Sequence, residues 1–324
     1  MTLNPYKPCF ISIKILIIIF FIILCVSVKS QFVNTGTEPA TVKWDKIETQ
    51  HYIVIYPRTF DDLALKYAQK LELSHLNVNY SAGFQPKKYA YVLHAYSANS
   101  NGLTAIAPNR VEIWTKPHQD IYGQAWDEQL IIHEGRHVAQ FSSMYRGASK
   151  VPIWLLGQMA YAFPIGLFIP NWYMEGDAVL AETALTKYGR GRLPEFEKTM
   201  RAYMLQKGNP GYDKMMLGSY KDFMPNHYET GYQIVAANRA FRDKDIFKDK
   251  VEDIARYPWW LWPFSRKSNG FKDTRKLKYY KFAADTLKQL WKIQHDIVDA
   301  PKANIIYKNN DFTAFLGNMV VPCI

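Results

Sequence analysis

The stretch QLIIHEGRHVAQF, residues 129–141, decides how the chain folds and where its chemistry lies. It contains an H-E-x-x-H pattern, with His133 and His137 four positions apart and Glu134 beside the first. Two histidines at this spacing project from the same face of a helix, one turn apart, where both imidazoles can reach one ion. The pattern arises by chance in roughly one chain in a hundred of this length, so a second signal is needed.

The second signal is NWYMEGDAVLAET, residues 171–183, which follows an apolar connection. A catalytic zinc site needs three protein ligands, so the two histidines require another donor, and Glu175 stands on a helix predicted to begin near Trp172. With both motifs in this order, the chain resembles the gluzincin metallopeptidases, in which a glutamate follows on a later helix in a W-x-x-E-G-x-A setting. Gly176 and Ala178 complete the match.

The resemblance extends to two further stretches. NGLTAIAPNRVEIW (101–114) is similar to the family's active-site edge strand, and PNHYETGYQIV (225–235) to the later helix that bears a catalytic tyrosine. It covers about residues 46–240 and is strongest to exported bacterial gluzincins that often carry a TolB-like β-propeller after the peptidase domain. It implies an α+β fold, a two-lobed zincin with a small mixed sheet lobe and a helical lobe around the active-site helix.

The function implied by the resemblance is zinc-dependent hydrolysis of peptide bonds in a peptide or protein substrate. Zn²⁺ would be held by the histidine and carboxylate set of catalytic zinc sites, His133, His137 and Glu175. The metal lowers the pKa of a bound water to about 7. Glu134 follows a ligand directly, so it points beside the metal and acts as general base. Tyr228 matches the tyrosine whose hydroxyl donates to the oxyanion.

Neighbouring residues offer alternatives for two of these roles. Glu182 comes seven residues after the predicted glutamate ligand, on the same helix face, and replaces it if the helix register differs. Asp177 is two positions off and is expected to face away. His227 and Tyr232 are the alternatives for the tyrosine role.

The chain also departs from the family pattern. Gly135 costs the active helix about 1 kcal/mol relative to alanine. Val179 stands where some gluzincins carry an acid that orients a ligand histidine, so that support must come from elsewhere. No G-x-M-E-N-type motif precedes the site, which favours an endopeptidase, or an enzyme with an unknown substrate, over an aminopeptidase. The alternative function is an inactive zinc-binding or cell-surface assembly module of the same fold, and the intact Glu134 favours the enzyme.

The amino terminus has the layout of a secretory signal peptide. Lys7 and Lys14 precede an apolar run, Ile15–Val28, whose 14 residues fall short of the roughly 20 that span a bilayer. We predict a signal peptide over residues 1–30, cleaved after Ser30, and an exported protein that is periplasmic, secreted or located at the cell surface. Export is compatible with association with the cell envelope.

Charge and cysteine content narrow the classes of partner and of stabilisation. The formal net charge is +11, or +8 without the leader's three lysines, but the basic residues are scattered and form no nucleic-acid motif, so we expect no nucleic-acid partner. Of the three cysteines, only Cys323 lies beyond the leader. An internal disulfide is therefore excluded in the mature chain, which must be held by its core or a metal.

The hydrophobic pattern predicts strands before the H-E-x-x-H helix and helices after it. The predicted strands are 46–56, 88–96 and one or two within 101–115, broken at Pro108. A helix over 61–73 should bury Ala64, Tyr67, Ala68 and Leu71. A helix over 274–297 should bury one face made of Leu277, Tyr280, Ala284, Leu287 and Trp291.

We predict one domain, residues 31–300, between the signal peptide and a tail at 301–324. Its sheet lobe covers about 44–140 and its helical lobe about 141–300. The apolar segment 151–172 contains prolines and glycines that interrupt a spanning helix, so it is predicted to be a buried connection. A contact with a membrane, in a membrane-associated structural protein, is the alternative.

Overall fold

The fold is seen in a computed structural model of the chain. The predicted signal peptide, residues 1–30, and the predicted tail, residues 301–324, lie outside the residues that it describes, so both stay predictions. The described residues are 38–82, 88–119, 123–147, 150–161, 165, 169–256 and 275–297.

The first part of the described chain forms a mixed five-stranded sheet. Its strands are β1 (Trp44–Glu48), β2 (Tyr52–Pro57), β3 (Tyr89–His94), β4 (Gly102–Ala105) and β5 (Arg110–Trp114). Their spatial order is β1–β2–β3–β5–β4. The central strands β2, β3 and β5 run parallel, while β1 and β4 pair antiparallel at the two edges. The sheet therefore ends at β4, which follows β3 along the chain but lies beyond β5.

The prediction of one strand over 46–56 is wrong, because the chain reverses within it. β1 and β2 form an antiparallel hairpin in which Glu48 pairs with Ile53. At the turn, the backbone N–H of Tyr52 donates to Oγ1 of Thr49 over 3.1 Å, and the N–H of Thr49 donates to the carbonyl of Tyr52 over 2.9 Å. A threonine hydroxyl that satisfies nearby backbone groups favours a turn over a continued strand. The other predicted strands are confirmed, the last as two strands.

Two helices cover one face of the sheet, α1 (Asp61–Asn79) and α2 (Trp126–Ser143). The predicted buried face of α1 is confirmed. α2 carries the H-E-x-x-H pattern and is buried along most of its length. The core between helices and sheet includes Tyr52, Val54, Tyr91, Leu93, Val111, Ile113, Leu130 and Ile131.

The described chain after α2 is helical, as predicted, which makes the fold α+β. The helices are α3 (Lys150–Leu156), α4 (Asn171–Leu185), α5 (Glu195–Lys207), α6 (Tyr212–Leu217), α7 (His227–Arg242), α8 (Ile246–Arg256) and α9 (Arg275–Ile297). Their shared core includes Trp172, Tyr173, Met200, Met204, Ile234, Phe247 and Trp291. Among the described helices, none has both the length and the apolar character needed to cross a bilayer.

The predicted face of α9 is confirmed except at its start. Tyr280, Ala284, Leu287 and Trp291 are buried, whereas Leu277 is 43% exposed. Side chains on a helix lean towards its N-terminus, so Leu277, in the first turn, leans off the end of α9 rather than onto the core. The buried face therefore begins one turn later than predicted.

The prediction that segment 151–172 is a buried connection is wrong for its first part. α3 buries Pro152 and packs Ile153 against the helical core. The opposite face of so short a helix is left in solvent, and Trp154 is 81% exposed. The segment is buried again towards α4, where Ile169 and Trp172 join the core.

Candidate metal centre

Three side chains bring one ligand atom each to a common point between α2 and α4. Nε2 of His133 lies 3.2 Å from Nε2 of His137 and 3.2 Å from Oε2 of Glu175. Nε2 of His137 lies 3.4 Å from the same carboxylate oxygen. The two histidines are buried and Glu175 is nearly so. Within the described residues, this is the group of His, Cys, Asp and Glu side chains that has the geometry to hold a metal ion.

The spacing of these atoms fits a zinc ion. Ligands arranged tetrahedrally about 2.0–2.1 Å from zinc lie about 3.3 Å from one another, which is the spacing observed here. Oε2 of Glu175 is buried and accepts no hydrogen bond from the described residues. A buried carboxylate oxygen without a donor is costly unless a cation satisfies it. The three predicted ligands therefore fit a zinc ion in both geometry and charge.

The remaining ring nitrogen of His133 is held by Glu182. Nδ1 of His133 lies 2.5 Å from Oε1 of Glu182, whose side chain is completely buried. The guanidinium of Arg190 binds the same carboxylate, with its Nε 2.9 Å from Oε2. Glu182 therefore does not replace Glu175 as the third donor. It orients His133, which is the support that Val179 cannot give.

His137 is oriented by a second set of contacts. Its Nδ1 lies 2.7 Å from Oε1 of Gln140, whose amide Nε2 donates to Asp177 over 2.8 Å. The same carboxylate of Asp177 accepts two hydrogen bonds from the buried guanidinium of Arg136, at 2.7 and 3.0 Å. Asp177 faces away from the donor atoms, as predicted, but it supports the site from behind. Because Oε1 of Gln140 only accepts, Nδ1 of His137 donates this hydrogen bond, and Nε2 faces the other two donor atoms.

The electrostatics of the centre favour positive charge between the donor atoms. Burial lowers the pKa of His133, but the neighbouring carboxylates of Glu175 and Glu182 outweigh burial and raise the pKa to about 9. Burial raises the pKa of Glu175, yet the two histidines bring it well below its usual range. A proton and a metal cation compete for the same histidine nitrogen atoms. The nearby carboxylates therefore favour the binding of either of these cations.

Glu134 does not join the three donors but lies beside them, against the edge strand. Oγ1 of Thr104 donates to Oε2 of Glu134 over 2.7 Å. A Cβ atom on Gly102 would lie 2.7 Å from Oε1 of Glu134, so a larger residue there would force the carboxylate to shift. Strand β4 therefore fixes the position of Glu134, a role that the sequence did not reveal for either residue.

Tyr228 is the tyrosine that α7 brings to the centre. Its ring centroid lies 6.1 Å from that of His133, and the Arg190 guanidinium lies 5.5 Å from the same tyrosine ring. Burial and the nearby Glu175 raise the pKa of Tyr228 to about 12, so its hydroxyl keeps its proton at neutral pH.

The two alternatives to this tyrosine lie elsewhere. Tyr232 packs under the 190–192 turn, where a Cβ atom on Gly191 would lie 2.2 Å from its Cζ. His227 is exposed to solvent, with its ring 4.5 Å from that of Tyr228. Of the three candidates, Tyr228 is the one whose ring lies beside a predicted ligand.

Two glycines explain how α4 and α7 deliver their side chains to one place. A Cβ atom on Gly176 would lie 2.3 Å from the carbonyl carbon of Gly231, and one on Gly231 would lie 2.4 Å from the carbonyl oxygen of Trp172. The backbones touch here, as only glycine permits. Asn226 begins α7 with a capping box, which places Tyr228 in the first turn of that helix.

Comparisons with known proteins give a distant structural likeness. A scan against protein-family models gave no match, and neither did a search of the curated proteins. A crystal structure of an aminopeptidase N family protein from Idiomarina loihiensis is similar over 66% of this chain and 41% of that chain, with 12% identity and a TM-score of 0.35. This chain thus spans about two fifths of the length of that protein. The chemistry of the centre has to be inferred from its own atoms.

Proposed function

We propose that the chain is an exported zinc-dependent metallopeptidase with a two-lobed, gluzincin-type fold. The observation that carries this proposal is the convergence of His133, His137 and Glu175 on one point, with Glu134 beside them. Zinc binding by itself requires only the three donors. A carboxylate held next to them is what hydrolysis requires in addition.

Each residue has a defined task in this proposal. A zinc ion held by the three donors would act as a Lewis acid and lower the pKa of water to about 7. Glu134 accepts the proton of the attacking water and delivers it to the leaving nitrogen of the peptide. Thr104 holds one oxygen of that carboxylate, which leaves the other for the proton. Tyr228 donates its hydroxyl proton to the oxygen on which negative charge develops.

An endopeptidase fits the surroundings of β4 better than an aminopeptidase. An aminopeptidase needs an unpaired carboxylate to bind the substrate's amino group. Strands β4 and β5 offer one acid, Glu112, and its carboxylate lies 2.6 Å from Nε of Arg110 and 3.6 Å from Nε2 of His94. The guanidinium of Arg110 already neutralises it. We therefore propose that peptides bind without an anchored amino terminus.

The second candidate function is a zinc-binding or cell-surface assembly module without catalysis. Cleavage of a diverse peptide library, measured together with metal content, separates the two functions. We expect the wild-type protein to cleave internal bonds, and Glu134→Gln to keep its zinc but lose turnover, since the base is removed and the donors are untouched. Wild-type protein that holds zinc and cleaves no peptide would favour the assembly module. Equal cleavage by Glu134→Gln would rule out the role of Glu134.

A further inference from the structure

The outward face of α3 is an apolar surface that the metal centre does not use. Val151, Trp154 and Leu155 are 53, 81 and 64% exposed, and their spacing of three and four places them on one side of the helix. Leu156 and Met159 extend this surface, with 57 and 48% exposure. We call these five residues the α3 face. Helices of soluble proteins normally turn such a stripe inwards, whereas α3 turns it to solvent.

The charged residues next to the α3 face in the sequence have one sign. The sequence contains no aspartate or glutamate between Glu134 and Glu175, whereas Arg146 precedes the helix and Lys150 begins it. Lys150 is exposed, and its Nζ lies 5.6 Å from the ring centroid of Tyr145. Exposed apolar residues bordered by cations and by amphipathic aromatic rings are suited to the interface of an anionic lipid bilayer.

We propose that the α3 face docks the protein on the surface of an anionic lipid bilayer. Trp154 would insert its ring at the level of the headgroups, where tryptophan is enriched in membrane proteins. A second copy of the chain fits the surface less well. A two-fold contact would place the Lys150 side chains of both copies at one interface, with no acid in this stretch to pair with them.

Quenching of Trp154 by brominated lipid tests this contact in the full chain. Vesicles of phosphatidylcholine and phosphatidylglycerol, both with brominated acyl chains, should quench part of the tryptophan fluorescence. Trp154→Phe should remove most of that quenching, because it removes the reporter. Trp44→Phe should not, since Trp44 is also exposed, at 39%, but lies on β1. Quenching of a single side chain reports on α3 whatever other part of the chain touches the vesicle.

A charge placed on the α3 face tests the same contact. Leu155→Glu should weaken vesicle-induced quenching at least tenfold, whereas Leu73→Glu, at an 80% exposed position on α1, should leave it unchanged. Pure phosphatidylcholine vesicles should quench at least fivefold less. Circular dichroism checks that each variant is folded.

Three results would overturn the proposal. The first is the absence of quenching, and the second is quenching that persists in Trp154→Phe. The third is a wild-type dimer in analytical ultracentrifugation that Leu155→Glu converts to a monomer, with no response to vesicles, which would assign the α3 face to a second copy. Metal content and peptide cleavage in solution should be the same in Leu155→Glu and wild type, so the proposal stands or falls separately from the metallopeptidase function.

Discussion

Oε1 of Glu182 lies 2.5 Å from Nδ1 of His133, while Nε2 of the same ring faces Glu175. One histidine thus bridges two carboxylates, and each carboxylate has a different task. Glu175 supplies a donor atom to the centre. Glu182 fixes the tautomer and the orientation of the ring, which raises its basicity towards a metal.

Replacing Glu182 with glutamine should therefore weaken zinc binding without removing a donor. We expect Glu182→Gln to lower the zinc affinity about 10- to 100-fold, as loss of an orienting partner typically does. Competition with a chromogenic chelator measures it. Glu195→Gln is the control, because Glu195 is an exposed acid paired with Lys198 on α5. Unchanged affinity in Glu182→Gln would mean that this carboxylate does not orient the ligand.

The contact between α4 and α7 predicts a large effect of one methyl group. Gly176→Ala would place its Cβ 2.3 Å from the carbonyl carbon of Gly231. Both atoms are fixed by the backbone, so no side-chain rotation relieves this clash. We expect the free energy of unfolding to fall by about 1–3 kcal/mol or more. Gly211→Ala is the matched control, since its Cβ would meet no atom within 4 Å. Urea denaturation followed by circular dichroism compares the two, and equal stabilities would refute the close contact.

The donors of the centre could be predicted because their relationship is local. His133 and His137 lie one turn apart on the same helix, and Glu175 lies in a recognisable motif near the start of the next long helix. The sequence also points to Glu182, two turns after Glu175 on the same helix face, but only as an alternative donor. Its actual task depends on which ring nitrogen it meets, and helix spacing does not determine that.

Other parts of the centre depend on contacts between distant segments. Arg190 lies in a short turn outside either motif, yet it binds Glu182 and flanks Tyr228. Thr104 reaches Glu134 from 30 residues earlier in the chain. The sequence does not reveal the reversal at Thr49 for a different reason. The residues on both sides of it have strand-like composition, and the hydroxyl of Thr49 is the side-chain group that stabilises the turn.

Tyr228 gives a prediction that separates a chemical role from a packing role. Tyr228→Phe keeps the ring and removes the hydroxyl, so it should weaken the transition state far more than substrate binding. We expect kcat to fall about a hundredfold or more, with KM and zinc content nearly unchanged.

Steady-state kinetics on a fluorogenic peptide measures this effect, and Tyr232→Phe is the control because its ring packs under the 190–192 turn. If Tyr232→Phe loses turnover while Tyr228→Phe keeps it, the hydroxyl role belongs one turn further along α7.

Zinc content per chain tests the central claim most directly, because every proposed step depends on three side chains that hold one metal ion. Elemental analysis of the purified wild-type protein should give about one zinc per chain, and Glu175→Ala, measured in parallel, should give almost none. His133→Ala and His137→Ala should behave like Glu175→Ala. Wild-type protein without zinc would contradict the account. So would a Glu175→Ala protein that keeps its full zinc while Glu182→Ala loses it.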